Sequence, residues 1–131
     1  MSRRSNSPPP ACYARTLPGL EDIAADEIEK ELGGDVRKTG RGLVVFRVER
    51  PSRELLQLRT TEDVFLLAWG TDQLTRRAED LKKIRRWTAQ NANWSELLRI
   101  HHAIRPKPSG KPTYHLVTQM YGKHVYMRVK A

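Results

Sequence analysis

Apolar and polar positions alternate over residues 11–16, with Cys12 and Ala14 on one side and Tyr13 and Arg15 on the other, the period of a short half-buried strand. Leu17-Pro18-Gly19 reads as a turn. The period then changes: Leu20, Ile23, Ala24, Ile28 and Leu32 recur at helical spacing, with Glu21 and Asp22 in the first turn, where carboxylates complement the helix dipole. Gly33-Gly34 offers the backbone freedom of a helix C-cap. Residues 36–39 and 42–48 read as two strands of a hairpin joined across Gly40. Pro51-Ser52 opens a second short helix with Leu55, Leu56 and Leu58 inward, and residues 64–69 form an unbroken apolar run of strand length.

Beyond Thr71, Leu74, Leu81 and Ile84 share an arc of a helix whose opposite side carries Lys82, Lys83 and Arg86. Asn93-Trp94-Ser95-Glu96 has the form of a capping box, with Glu96 reaching back to Asn93. Trp94, Leu97, Leu98 and His101 follow it on one predicted face. Three prolines and a glycine make residues 105–112 a loop. Residues 113–120 alternate as a strand, 121–124 turn, and 125–131 begin a further helix.

The order over residues 11–70 is β-α-β-β-α-β, the split βαβ, ferredoxin-like arrangement within an α+β chain. Residues 1–10, rich in Arg, Ser and Pro, form a disordered tail. Residues 71–131 form a second unit that ends one turn into an element, as a fragment of a longer protein would.

Charge divides along the same boundary. Residues 71–131 hold 13 Lys/Arg against 4 Asp/Glu, whereas residues 1–70 hold 11 of each. A neutral module followed by a basic one, at pI ≈ 10.1, points to a polyanion, with nucleic acid ahead of a membrane surface because no basic helix carries a broad apolar face. No apolar run is long enough to span a bilayer. The single Cys12 excludes an internal disulfide and fits a reducing, cytoplasmic setting.

The candidate chemistry is binding rather than catalysis. His101 and His102 point about 100° apart on a helix, which suits a structural pair (His101 partly buried, His102 exposed) better than a metal site. Glu21, Asp22, Asp26, Glu27, Glu29 and Glu31 read as the wet face of a helix. No glycine-rich phosphate loop or parallel nucleotide-binding sheet is present, so these residues are not expected to form an enzyme. Lys82, Lys83, Arg85 and Arg86 read equally as a solvated helix face and as phosphate contacts. Arg105, Lys107 and Lys111 add cations on a loop. Tyr121, Lys123, His124 and Arg128 surround a turn whose free N–H groups suit a phosphate and whose aromatics suit an unpaired base.

Leu17-Pro18-Gly19-Leu20-Glu21 and the helix after it resemble the N-terminal signature of THUMP-containing RNA methyltransferases. The resemblance continues through residues 42–48 (GLVVFRV), 58–70 (LRTTEDVFLLAWG), Asn93-Trp94-Ser95-Glu96-Leu97 and the Gly-Lys-His-x-Tyr-x-Arg stretch at 122–128. It implies an N-terminal ferredoxin-like domain over 11–70 and a THUMP domain over 71–131 that is incomplete at its C-terminus. It further implies that the two grip RNA, most often the acceptor end of tRNA, with Lys123, His124 and Arg128 as contacts. A separate catalytic domain using S-adenosylmethionine would methylate a guanine N2 of tRNA or ribosomal RNA. A thiouridine synthetase, a pseudouridine synthase and a stand-alone basic adaptor are the alternative parents. An unfinished sheet would also leave this fragment prone to self-association.

Overall fold

The computed structural model describes residues 10–105, 109–111 and 113–119. They form an α+β structure with one four-stranded antiparallel sheet and three α-helices. In chain order the elements are β1 (Cys12–Arg15), α1 (Glu21–Leu32), β2 (Asp35–Gly40), β3 (Leu43–Arg47), a 3-10 turn (Arg53–Gln57), β4 (Asp63–Leu66), α2 (Glu79–Asn91) and α3 (Trp94–Ile104). The sheet order is β2-β3-β1-β4, which leaves β2 and β4 as edges.

Register explains the core. Cys12 lies between Phe46 and Leu66, and Ala14 between Val44 and Val64. Side chains opposite one another across strands share a face, so these six residues make one apolar surface. α1 covers it with Ala24 and Ile28, both fully buried. The small Cys12, Ala14 and Ala24 let helix and sheet approach closely. α3 adds Ile100 and Ile104 to the same core, together with Val48 and Leu55. The core therefore joins residues from both halves of the chain.

Three glycines are dictated by geometry. Gly33 ends α1 in the left-handed conformation (φ 61), and the Gly34 N–H then donates to the Ile28 carbonyl at 3.1 Å. A Cβ at Gly34 would sit 2.6 Å from Ile28 Cγ2. Gly42 makes the β2–β3 turn at φ 70 and lies against the Thr16 carbonyl, 3.0 Å from where a Cβ would stand.

Several expectations are corrected. On α1, Ile23 is 54% exposed; the buried arc is centred on Ala24, Ile28 and Leu32 and leaves Ile23 outside. The second helix is only a 3-10 turn of five residues, started by Ser52 Oγ accepting from the Glu54 N–H. So tight a turn presents Leu55 inward and leaves Leu56 exposed. β4 ends at Leu66 because Trp69 departs to meet α2. α2 begins at Glu79, so Leu74 precedes it and is exposed.

In α3, Asn93 caps the Glu96 N–H at 3.2 Å, as the sequence suggests, but the Glu96 carboxylate turns forward to Arg99. The buried face is Leu97, Ile100 and Ile104; Trp94 and Leu98 are exposed. His101 is exposed and His102 half-buried, the reverse of the sequence reading. Residues 113–119 form no strand, and Tyr114, Leu116 and Val117 are exposed. An extended segment is a strand only when a neighbour takes its N–H and C=O groups, and neither sheet edge pairs with this one. All but Pro10 of the expected tail over 1–10, the turn at 121–124 and the helix over 125–131 lie outside the described residues.

Truncating Phe46 to Ala should cost about 3–5 kcal/mol and Ile100 to Ala about 2–4 kcal/mol in urea unfolding, because both leave core cavities. Ile23→Ala and Leu98→Ala, on exposed positions, should each stay within about 0.5–1 kcal/mol. Equal costs for Ile100→Ala and Leu98→Ala would show that α3 does not dock through Ile100.

Candidate nucleic-acid interface

The basic helix α2 is oriented by an apolar and hydrogen-bonded underside. Asp80, fully buried, accepts from the Thr75 N–H at 3.1 Å and from Thr75 Oγ1 at 2.9 Å. This closes the turn before the helix, in which Arg76 adopts a positive φ of 66. At the far end all three tryptophans gather around Trp87 and Thr88. Trp69 packs edge-on to Trp87 with centroids 5.8 Å apart, and its indole N–H donates to Thr88 Oγ1 at 3.1 Å. The Trp94 indole N–H donates to the Thr88 carbonyl at 3.1 Å.

With Asp80, Ile84, Trp87 and Thr88 turned toward the protein, helical geometry turns Lys82, Arg85 and Arg86 outward. All three are exposed, Lys83 is half-buried at the margin, and none of the four forms an ion pair with a described carboxylate. The ion pairs among the described residues lie elsewhere, at Asp26–Lys30, Asp35–Arg37 and Glu96–Arg99. Lys83 still helps to lower the Asp80 pKa, whereas Lys82, Arg85 and Arg86 form a row on α2 with no ion-pair partner among the described residues.

A second surface was not singled out in the sequence. The sheet face turned away from the core carries Tyr13 and Phe65, paired across β1 and β4 and stacked with centroids 4.8 Å apart and planes 19° off parallel. Arg15, Leu43, Val45, Arg47 and Lys38 share that face by register. Burial pushes the Tyr13 phenol above its ordinary value, with Arg15 pulling it partly back. Beside β4, a cleft of about 480 Å³ is lined by Phe65, Leu55, Leu56, Glu62, Asp63, His101 and Arg105, among others. The alternation that exposes Tyr13 is legible in the chain. That of Phe65 is hidden in a continuous apolar run.

Two carboxylates assigned to a wet helix face do more than stay hydrated. Glu21 accepts from the Gly42 N–H at 2.6 Å and the Gly19 N–H at 2.8 Å, tying the turn before α1 to the β2–β3 turn. The Gly42 hydrogen bond leads in holding its pKa below the usual carboxylate value. Glu27 takes the N–H groups of Arg59 and Thr60 and the Thr60 hydroxyl at 2.7 Å, which fixes the loop before β4 on α1. Burial pushes Glu27 up, but these donors outweigh it and hold it low; the same balance, with Thr75 as donor, lowers Asp80. Cys12, wholly enclosed in the core, has its thiol pushed up by burial to about 11.

Of the residues proposed from sequence, Lys82, Lys83, Arg85 and Arg86 are brought together on α2. Arg105 stands apart from them in the sequence, exposed at the end of α3 on the cleft, and Lys111 is exposed. Lys107, Tyr121, Lys123, His124 and Arg128 lie outside the described residues. Among the described residues no cluster of three or more His, Cys, Asp or Glu is placed to hold a metal, and no helix is long and apolar enough to cross a membrane. His102 Nδ1 is buried without a hydrogen-bond partner. No family model, curated protein or solved structure matches this chain, so the interface is read from its own chemistry.

Because Glu21, Glu27 and Asp80 have depressed pKa values in the fold, their stabilisation is complete above the ordinary carboxylate range and is lost as pH falls through the lowered values. Glu27→Ala should cost about 1 kcal/mol at neutral pH after allowance for solvent screening, and the acid limb of urea midpoints measured from neutral to low pH should flatten. Cys12 should resist a disulfide reagent near pH 8 in the native protein and react at once in denaturant; rapid native labelling would contradict its enclosure.

Proposed function

We propose that this chain is an RNA-binding module that targets the catalytic domain of an RNA-modifying enzyme, and that α2 is part of its phosphate-contacting surface. The observation that carries the reading is the outer face of α2, where Lys82, Arg85 and Arg86 are exposed and have no carboxylate partner among the described residues. Uncompensated cations on one face repel one another, and a polyanion relieves that repulsion while releasing its own counterions.

Two further observations support the THUMP-methyltransferase reading. The β2-β3-β1-β4 antiparallel order, with α1 between β1 and β2, is the strand order of a ferredoxin-like domain, with a 3-10 turn standing where that fold has its second helix. The Glu21 clamp also supplies a physical reason for the Pro-Gly-Leu-Glu turn. On this reading residues 11–70 and 71–131 correspond to the ferredoxin-like and partial THUMP domains, although their described parts share one core. The partner is RNA, most readily tRNA, in the cytoplasm. These residues are given no catalytic role. S-adenosylmethionine would belong to a separate domain that methylates guanine N2.

Binding of tRNA, followed by fluorescence anisotropy across a salt series, should weaken linearly with the logarithm of salt concentration. The Lys82→Glu/Arg85→Glu/Arg86→Glu variant should lower the magnitude of that slope by about 2–3, since each phosphate left unneutralised removes a little under one. An unchanged slope and affinity would remove α2 from the interface.

A further inference from the structure

The core takes its sheet residues from one face alone, so the opposite face is not part of that core. Its centre is the Tyr13–Phe65 stack. Phe65 is 38% exposed and also lines the cleft beside β4. One end of a two-ring stack therefore borders an open volume of about 480 Å³, within the range of small-ligand sites and ample for one nucleotide.

The lining is chemically mixed in a way that suits a nucleotide. Leu55, Leu56 and Leu58 offer apolar surface to a ring, and Arg105 and His101 supply donors that suit a phosphate. Glu62 and Asp63 also line the cleft. Ionised carboxylates only accept hydrogen bonds, so they repel phosphate and favour a base edge that carries an amino group. Cytosine offers such a donor where uracil offers a second acceptor.

We propose that this cleft and the adjoining aromatic pair bind one unpaired nucleotide of an RNA strand, stacked on Phe65 as a third ring, with Arg105 toward its phosphate and Glu62 or Asp63 accepting from an exocyclic amine. The site rests on the RNA-binding reading and adds to it a selective, base-contacting element distinct from the phosphate contacts of α2. An aromatic face accepts any base by stacking; the carboxylates supply the preference. Arg15, on the neighbouring strand β1 opposite Asp63, stands on the same sheet face beside the aromatic pair.

The test compares the whole chain with oligo(C) and oligo(U) of equal length, and with tRNA, at one salt concentration. Oligo(C) should bind several-fold tighter than oligo(U). Phe65→Leu should weaken oligo(C) at least about fivefold, since base–aromatic stacking is removed, whereas Phe65→Trp should stay within about twofold. Glu62→Gln/Asp63→Asn should erase the preference for C over U while retaining affinity. Thermal melts monitored by circular dichroism confirm that each variant is folded. If tRNA binding depends on α2 but oligo(C) binding is indifferent to Phe65→Leu, the cleft site is wrong and the RNA reading stands. If no RNA binds the unaltered chain, both readings fall. If Phe65→Leu leaves RNA binding intact but converts a dimer to monomer in sedimentation, the face belongs to a second copy of the chain and the proposal is overturned.

Discussion

Burial of a single sheet face is the constraint from which the rest of this structure follows. Cys12 and Ala14 on the central strand β1 meet Val44 and Phe46 on one side and Val64 and Leu66 on the other. A strand has period two, so placing this set inward places Tyr13, Arg15, Val45 and Phe65 outward at no further choice. The inward face must be covered, and α1 and α3 cover it. The outward face is left with a stacked aromatic pair and with charges of both signs, Asp63 opposite Arg15 and Asp35 opposite Arg47. A one-residue slip of β1 would exchange the two faces and lose both.

The irregular segments are held by carboxylates rather than by apolar packing. Glu21 joins two turns, Glu27 holds the loop before β4, and Asp80 closes the turn before α2. Each accepts backbone N–H groups that no helix or strand satisfies, which is why these acids ionise more readily than free ones. A basic chain thereby uses several of its carboxylates internally. Lys82, Arg85 and Arg86 of α2 are left without an ion-pair partner among the described residues, which is what the proposed polyanion would answer. Fold and charge are coupled to that extent: three acids are engaged by the scaffold, while Lys82, Arg85 and Arg86 face outward.

The elements whose period was clean could be read without coordinates. β1, α1 with its Gly33 cap and the Asn93 cap of α3 stand where their local patterns place them; the hairpin is present too, but its turn falls at Arg41-Gly42 rather than across Gly40, which ends β2. The basic face of α2 was legible in part: Lys82 and Arg86 are exposed as their place opposite Leu81 and Ile84 implies, but Lys83, read on the same side, is half-buried, and Arg85 takes its place on the exposed face. The misreadings share one cause. Ile23, Leu56 and Leu98 fit an apolar stripe, yet which part of a stripe is buried depends on where the neighbouring element lies. Leu74 and residues 113–119 were similarly assigned to elements that need a partner or a cap located elsewhere. The aromatic pair and its cleft were illegible because Tyr13 and Phe65 are far apart in the chain and meet only through β1–β4 register.

The amino-acid order alone therefore determined the local periods, the turns that demand glycine, the caps and the concentration of positive charge after Thr71. These depend on contacts within a few residues, where backbone sterics and helical or strand spacing leave little freedom. Tertiary structure decided which faces are buried, that α3 rather than the segment after Pro51 supplies the second covering helix, and that Phe65, Arg105 and two carboxylates border one cleft. Such outcomes depend on long-range register and on competition between elements for the same apolar surface. No local pattern encodes who wins that competition.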